Sequence, residues 1–132
     1  MINDRGGINR RKINLISYDD AATLPKTVEQ VRKLIESDEV LFTFQTLGNA
    51  SDIAIQKYLN NRKIPQLFVA GRALRFEDPV SFLWTMGFAP NLRTEICVYA
   101  RFILHNYPSA KVGLLYQNDD SGKDYYQESG RA

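Results

Sequence analysis

Residues Leu41–Tyr58 read LFTFQTLGNASDIAIQKY, and the order of residue types in this stretch decides the fold. Leu41, Phe42, Thr43 and Phe44 are aliphatic, aromatic or β-branched, the composition of a strand covered on both faces. Gln45-Thr46-Leu47-Gly48 then makes a short polar connection, and Asn49 three residues ahead of Asp52 has the spacing of a capped helix start. The start of a helix presents backbone N–H groups and the positive end of the helix dipole, so it can hold a carboxylate or a phosphate. In open α/β sheets the ligand crevice lies at the carboxyl ends of the strands, where this turn falls. Taken alone, the stretch reads more simply as a strand–helix connection. The rest of the chain decides whether the turn is also a socket.

The flanking segments repeat the same alternation. Lys12–Tyr18 (KINLISY) reads as a short strand ending in Asp19-Asp20. Thr23 can cap a helix with Pro25 in its first turn, which puts Val28, Val31, Leu34 and Ile35 on one face. An acidic connection, Glu36–Glu39, leads to the second strand, Val40–Gln45. The helix at about Ala50–Asn60 would bury Ala54, Ile55, Tyr58 and Leu59. Gln66–Ala70 (QLFVA) reads as a third strand, and Phe82–Phe88 (FLWTMGF) as a short fourth one after the irregular loop Gly71–Ser81. Asn91–Asn106 is the longest helix, with Leu92, Ile96, Tyr99, Ala100, Ile103 and Leu104 at helical spacing. Tyr107-Pro108 stops it. Lys111–Gln117 (KVGLLYQ) reads as a last strand, Asp119–Gly122 as a turn, and Lys123–Ser129 as a partial helix. Residues Glu128–Ala132 are expected to fray. Strands alternating with helices predict an α/β fold, a three-layer αβα arrangement with a mostly parallel sheet.

Composition narrows the function classes. With 132 residues, 44% hydrophobic and 24% charged, the chain is an ordinary globular one with room for a single core. A net charge of +2 argues for neither nucleic acid nor an anionic membrane as partner. Arg10-Arg11-Lys12 is a solvated turn by composition. One cysteine, Cys97, excludes an internal disulfide and disfavours a thiolate metal site. The single histidine, His105, sits near a helix end, where a cation is favourable. No apolar run approaches the ~18–20 residues of a membrane span. Met1–Gly7 lacks the apolar core of a signal peptide, so the chain as written is not expected to be exported.

Enzyme chemistry has little behind it. There is no GxGxxG, no GxxxxGK[ST] and no GxSxG, and the one histidine has no evident serine partner. Asp19-Asp20 at a strand end resembles the acidic pair of a Mg²⁺-binding phospho-receiver domain. That chemistry also needs an aspartate where this chain has Gln45-Thr46, and a lysine where it has Gln117-Asn118. No catalytic residue, metal ligand or cofactor is assigned.

Several phrases in fixed order carry a family resemblance: Gly6-Gly7-Ile8-Asn9, Tyr18-Asp19-Asp20, Lys26-Thr27-Val28, Phe68-Val69-Ala70, Trp84-Thr85-Met86-Gly87, and Leu115-Tyr116-Gln117-Asn118-Asp119-Asp120. Together they resemble the branched-chain amino acid (Leu/Ile/Val) binding proteins, the periplasmic substrate-binding components of ABC importers. The resemblance implies two α/β lobes joined by a hinge, with the ligand held between them. On that pattern residues 1–88 are a partial first lobe lacking its first strand and helix. Residues 88–91 are a hinge crossing, and 91–132 open the second lobe. The resemblance also implies ligand contacts from the turn Thr46, Leu47, Gly48 and Asn49, and from the loop Ala70, Gly71, Arg72 and Ala73. A further contact falls at Ser121, where many members carry an aromatic residue. It implies an amino acid or similar small carboxylate as ligand, an ABC permease as partner, and a periplasmic location for the full-length family. A lost central strand would leave unpaired sheet edges, which invite homodimerisation. The alternative reading is a non-binding, self-associating module of the same ancestry.

Overall fold

The computed structural model describes residues 1–118 and 120–130, the side chains of Asp120 and Ser121 excepted. Seven regular elements follow in order: α1 (Leu24–Glu36), β1 (Thr43–Phe44), α2 (Asn49–Asn61), β2 (Gln66–Val69), β3 (Thr85–Gly87), α3 (Leu92–Asn106) and α4 (Asp120–Ser129). The strands form a parallel sheet in the order β1-β2-β3. This is the parallel α/β architecture that the alternating pattern predicts.

The core sits where α1 and α2 pack on each other. Val31 and Ile35 from α1 meet Ile55 and Leu59 from α2, with Val28, Val40, Tyr58 and Ile64 around them. The α1 stripe arises from the four-residue spacing of Thr27, Val31 and Ile35, all buried. A second cluster joins Val69 of β2 to Ala73 and Phe76 in the following loop, with Ile53 of α2 packed against it. Backbone pairing locks the register: Thr43 N–H donates to Pro65, and Gln45 N–H to Leu67. Between β2 and β3 the register slips by one residue, and Phe68 lies at that irregularity with φ 54°.

Several expected elements do not form. Lys12–Tyr18 pairs with no strand among the described residues and is exposed apart from half-buried Ile16 and Tyr18; the Asn3 side chain mimics a neighbour by bonding both N–H and C=O of Ile13 (2.8 and 2.7 Å). Lys111–Gln117 likewise has no strand partner among the described residues, and Leu115 is 99% exposed. A strand exists only when its N–H and C=O groups meet another strand, which residue types alone do not supply. Leu41–Phe44 is covered on one face, not both: Thr43 is buried, while Phe42 and Phe44, which alternate to the other face, are 42% and 54% exposed. Phe44, Phe68 and Phe88 stand edge to face on the opposite side of the sheet.

The buried helix faces also differ from those expected from spacing. Ala54 is exposed, and Asp52 and Gln56 take the buried positions beside Ile55 and Leu59. In α3, Leu92 and Ile96 are buried but Tyr99 and Leu104 face outward. The last helix starts at Asp120 rather than Lys123. The expected turn at Asp119 and the fraying of Arg131-Ala132 lie outside the described residues.

Leu59 is fully buried in the α1–α2 cluster. Leu59→Ala is expected to lower unfolding stability by about 2–5 kcal/mol. Urea denaturation checks this; a loss under ~1 kcal/mol would mean that the α1–α2 seam is not the core.

Candidate functional site

The carboxyl ends of β1 and β2 deliver two loops to one place. Leu47 forms a parallel bridge with Ala70, and Ala70 N–H donates to Thr46 C=O (2.8 Å). Thr46–Asn49 and Ala70–Ala73 therefore lie side by side. A side-chain bond completes the join: Arg72 N–H donates to Asn49 Oδ1 (2.7 Å).

That bond changes the role of Asn49. It is the first residue of α2 and not its cap; Gly48 caps, with φ 111°, and supplies no side chain. Asn49 instead staples the two loops together. Gly71 is held to glycine by the same closeness, because a Cβ there would lie 2.6 Å from Asn49 Oδ1 and 2.6 Å from the Phe76 ring.

Beneath the turn lies a polar chain. Asp52 and Gln66 are both fully buried, and Gln66 Nε2 donates to Asp52 Oδ1 and to Thr46 Oγ1 (3.4 Å each). Thr85 Oγ1 donates to Gln66 Oε1 (3.4 Å), and Asn60 Nδ2 donates to Thr85 Oγ1 (2.8 Å). Among the described residues Asp52 Oδ2 has no hydrogen-bond partner. Burial pushes the Asp52 carboxyl up to about 6, against the lowering effect of hydrogen bonds from Thr46 and Gln66. Two further hydroxyls line the α2 start: Thr27 Oγ1 donates to Asp20 Oδ2 (2.6 Å) and lies 3.2 Å from Ser51 Oγ. The Thr27 bond, with the Ala22 N–H, holds the Asp20 carboxyl below its usual range. Asp19 and Asp20 accept from Ala21 and Ala22 N–H (2.8 and 2.9 Å), the geometry of Asx turns ahead of α1.

Arg72 extends the site toward α3. Its carbonyl accepts from Leu92 N–H (3.1 Å), and its guanidinium pairs with Glu95 (Nη1 to Oε2, 2.5 Å). Tyr99 Oη donates to the other Glu95 oxygen (2.9 Å), which raises the Tyr99 phenol above its usual range. Ala89, Pro90, Thr94 and Val98 join these three around an open cleft of about 280 Å³. A second cleft, about 340 Å³, is lined by Ile53, Leu74, Arg75 and Asp124.

Eight of the nine sequence-derived site residues thus meet in one region. The Ser121 side chain lies outside the described residues. Asp52, Gln66, Glu95 and Tyr99 escaped the sequence reading. One signal was present: Asp52, Ile55, Gln56 and Leu59 share the i, i+3, i+4, i+7 stripe of α2, so two polar residues stand on the apolar face. Nothing local marks Glu95. Among the described residues no group of three or more His, Cys, Asp or Glu is placed to hold a metal ion, and no helix is long and apolar enough to cross a membrane.

A family model described as periplasmic binding protein matches residues 1–132. No curated protein matches the chain. Three solved structures resemble it over 98% of its length. One, titled a possible leucine/isoleucine/valine-binding protein from Rhodopirellula baltica, has 18% identity and TM-score 0.85. Another, a substrate-binding periplasmic protein from Ralstonia solanacearum, has 25% identity and TM-score 0.86. A third is a solute binding protein of an ABC transporter from Rhodopseudomonas palustris, in complex with 3,4-dihydroxy benzoic acid; it has 20% identity and TM-score 0.83. The chain spans only 34%, 36% and 35% of their respective lengths.

The raised Asp52 carboxyl gives a signed prediction. Between an unfolded value of about 3.9 and the folded value of about 6, the folded chain holds a proton that the unfolded chain releases. Stability from this group is therefore full below about pH 4, falls through that window and stays lower above it. The span of about two units corresponds to at most about 3 kcal/mol. Asp52→Asn should remove that fall and be the more stable protein at pH 7. Urea titrations of both proteins from pH 4 to 7 isolate the effect from Asp20, which acts in the opposite direction. Parallel profiles would refute it.

Proposed function

The chain belongs to the periplasmic binding protein family, and on that premise we propose that it is a ligand-binding part of an ABC-importer receptor for small amino-acid-like carboxylates. The joining of Thr46–Asn49 to Ala70–Ala73, at the N-terminus of α2 where the cap residue Gly48 supplies no side chain, carries this reading. A ligand carboxylate would accept from N–H groups of the first turn of α2, where the helix dipole is positive. Hydroxyls of Thr46 and Ser51 stand beside that turn. The ligands named for two of the similar structures, leucine/isoleucine/valine and dihydroxybenzoic acid, share a carboxylate and an otherwise compact body. Branched-chain amino acids are the first choice among them. The protein is then a receptor and not an enzyme, periplasmic in location, with an ABC permease as partner. Residues 1–88 form a partial first lobe, 88–91 a crossing, and 91–132 the opening of a second lobe.

A second reading has its own observation. Phe44 and Phe88 are exposed on either side of half-buried Phe68, and the segments at 12–18 and 111–117 pair with no strand among the described residues. Both favour association of two copies through the sheet edges.

Isothermal calorimetry with leucine, phenylalanine and benzoate tests the receptor reading. Binding at micromolar to millimolar concentration, with shifts of the Asn49–Ser51 amide resonances, is expected. No heat and no shift at 10-fold higher concentration (on the order of tens of millimolar, weaker than about −3 kcal/mol) rejects it. Light scattering tests the second: a dimer at micromolar concentration is expected, and a monodisperse, cooperatively unfolding monomer counts against it.

A further inference from the structure

We propose that Glu95 and a ligand's carboxylate compete for one guanidinium, that of Arg72, so that binding exchanges one ion pair for another. The inference rests on the carboxylate-receptor reading above and names a residue that tunes its affinity and ligand charge.

Arg72 is the only charged residue in the two joined loops, Thr46–Asn49 and Ala70–Ala73. Its backbone is fixed on both sides, by Asn49 Oδ1 at its N–H and by Leu92 N–H at its carbonyl. Only its side chain is left to choose a partner. It has taken a carboxylate, Glu95, through a single contact at Nη1 (2.5 Å). A guanidinium has five N–H donors in a planar fork that suits a carboxylate bidentately. One contact leaves most of that capacity for a second acceptor.

The pair is placed for exchange. The Arg72 and Glu95 side chains are 47% and 22% exposed, so water and salt weaken their attraction. Glu95 is supported independently by the Tyr99 hydroxyl (2.9 Å), and this bond survives if Arg72 turns away. Around the pair, Ala89, Pro90, Val98 and the Tyr99 ring make apolar walls to the cleft of about 280 Å³. That volume lies near the small end of the ~300–1,000 Å³ range of small-molecule sites. A carboxylate with a compact apolar body gains from those walls by burial, which Glu95 does not. A neutral ligand would gain nothing at Arg72 and would leave the Glu95 pair intact.

The probe is benzoate, titrated against chloride at constant ionic strength. The readout is the Nε–Hε resonance of Arg72, assigned by its loss in Arg72→Gln. Glu95→Gln keeps the side-chain shape and an acceptor for Tyr99 while removing the competing charge. Its half-saturation concentration is expected to fall about fivefold relative to wild type, corresponding to about 1 kcal/mol. Benzamide, with the same ring and no charge, should act alike on both proteins. Tyr99→Phe, which loosens Glu95, should give a smaller gain and carries the same comparison if Glu95→Gln does not fold. Equal half-saturation by benzoate in wild type and both variants overturns the proposal. So does an Arg72 resonance in Glu95→Gln that does not respond to benzoate. The amides of Asn49, Ala50 and Ser51, followed with leucine, report the helix-socket reading separately. Shifts there with a silent Arg72 would keep the receptor and reject the competition.

Discussion

A buried carboxylate cannot stay in a fold without company, and Asp52 fixes much of this one. It sits in the first turn of α2 with no exposure to water, and one of its oxygens is held by Gln66, which is equally buried. From Gln66 the chain of hydrogen bonds continues to Thr85 on β3 and returns to α2 at Asn60. Both ends of α2 are thereby fastened to the two strands it covers. Apolar packing alone would let a helix slide along a sheet; directional bonds at buried groups oppose this, because breaking one leaves a costly unpaired polar atom. The α2 N-terminus consequently stands at the carboxyl ends of β1 and β2.

The loop join follows from that placement. With α2 set, Asn49 points across to the backbone of Arg72, and Gly71 leaves the space in which they meet. The same loop reaches α3 through the Arg72 carbonyl and guanidinium. Three elements that are distant in sequence, at residues 46–49, 70–73 and 92–99, thus converge through a few named atoms. A site for a small carboxylate is consistent with such convergence, since the helix start and the guanidinium both favour negative charge.

The sheet is less complete than its helical cover. α2 packs on the inner side of the strands with α1 against it, while Phe44 and Phe88, on either side of half-buried Phe68, keep much of their surface in water on the other side. Edge-to-face rings give each other some cohesion, but the larger apolar gain waits on whatever removes that face from water. The isolated extended segments belong to the same picture: KINLISY and KVGLLYQ have strand composition and, among the described residues, no strand to pair with.

The sequence by itself determined the elements whose evidence is local. The presence and approximate extent of α1, α2 and α3, the proline near the start of α1, the alternation of apolar runs with helices, and the two loops at strand ends were all legible from residue spacing. The family phrases, in their order, pointed to the same architecture. Tertiary structure alone decided what depends on a distant partner. It turned Asn49 from a helix cap into a staple for Arg72, because the acceptor's better donor lies on another loop. It put Asp52 and Gln56 on the buried face and Ala54 outside, because Gln66 and Arg75 were there to satisfy them. It withheld strand status from residues 12–18 and 111–117, and it brought Glu95 to Arg72. Propensity is a property of neighbours along the chain, whereas pairing and burial belong to neighbours in space.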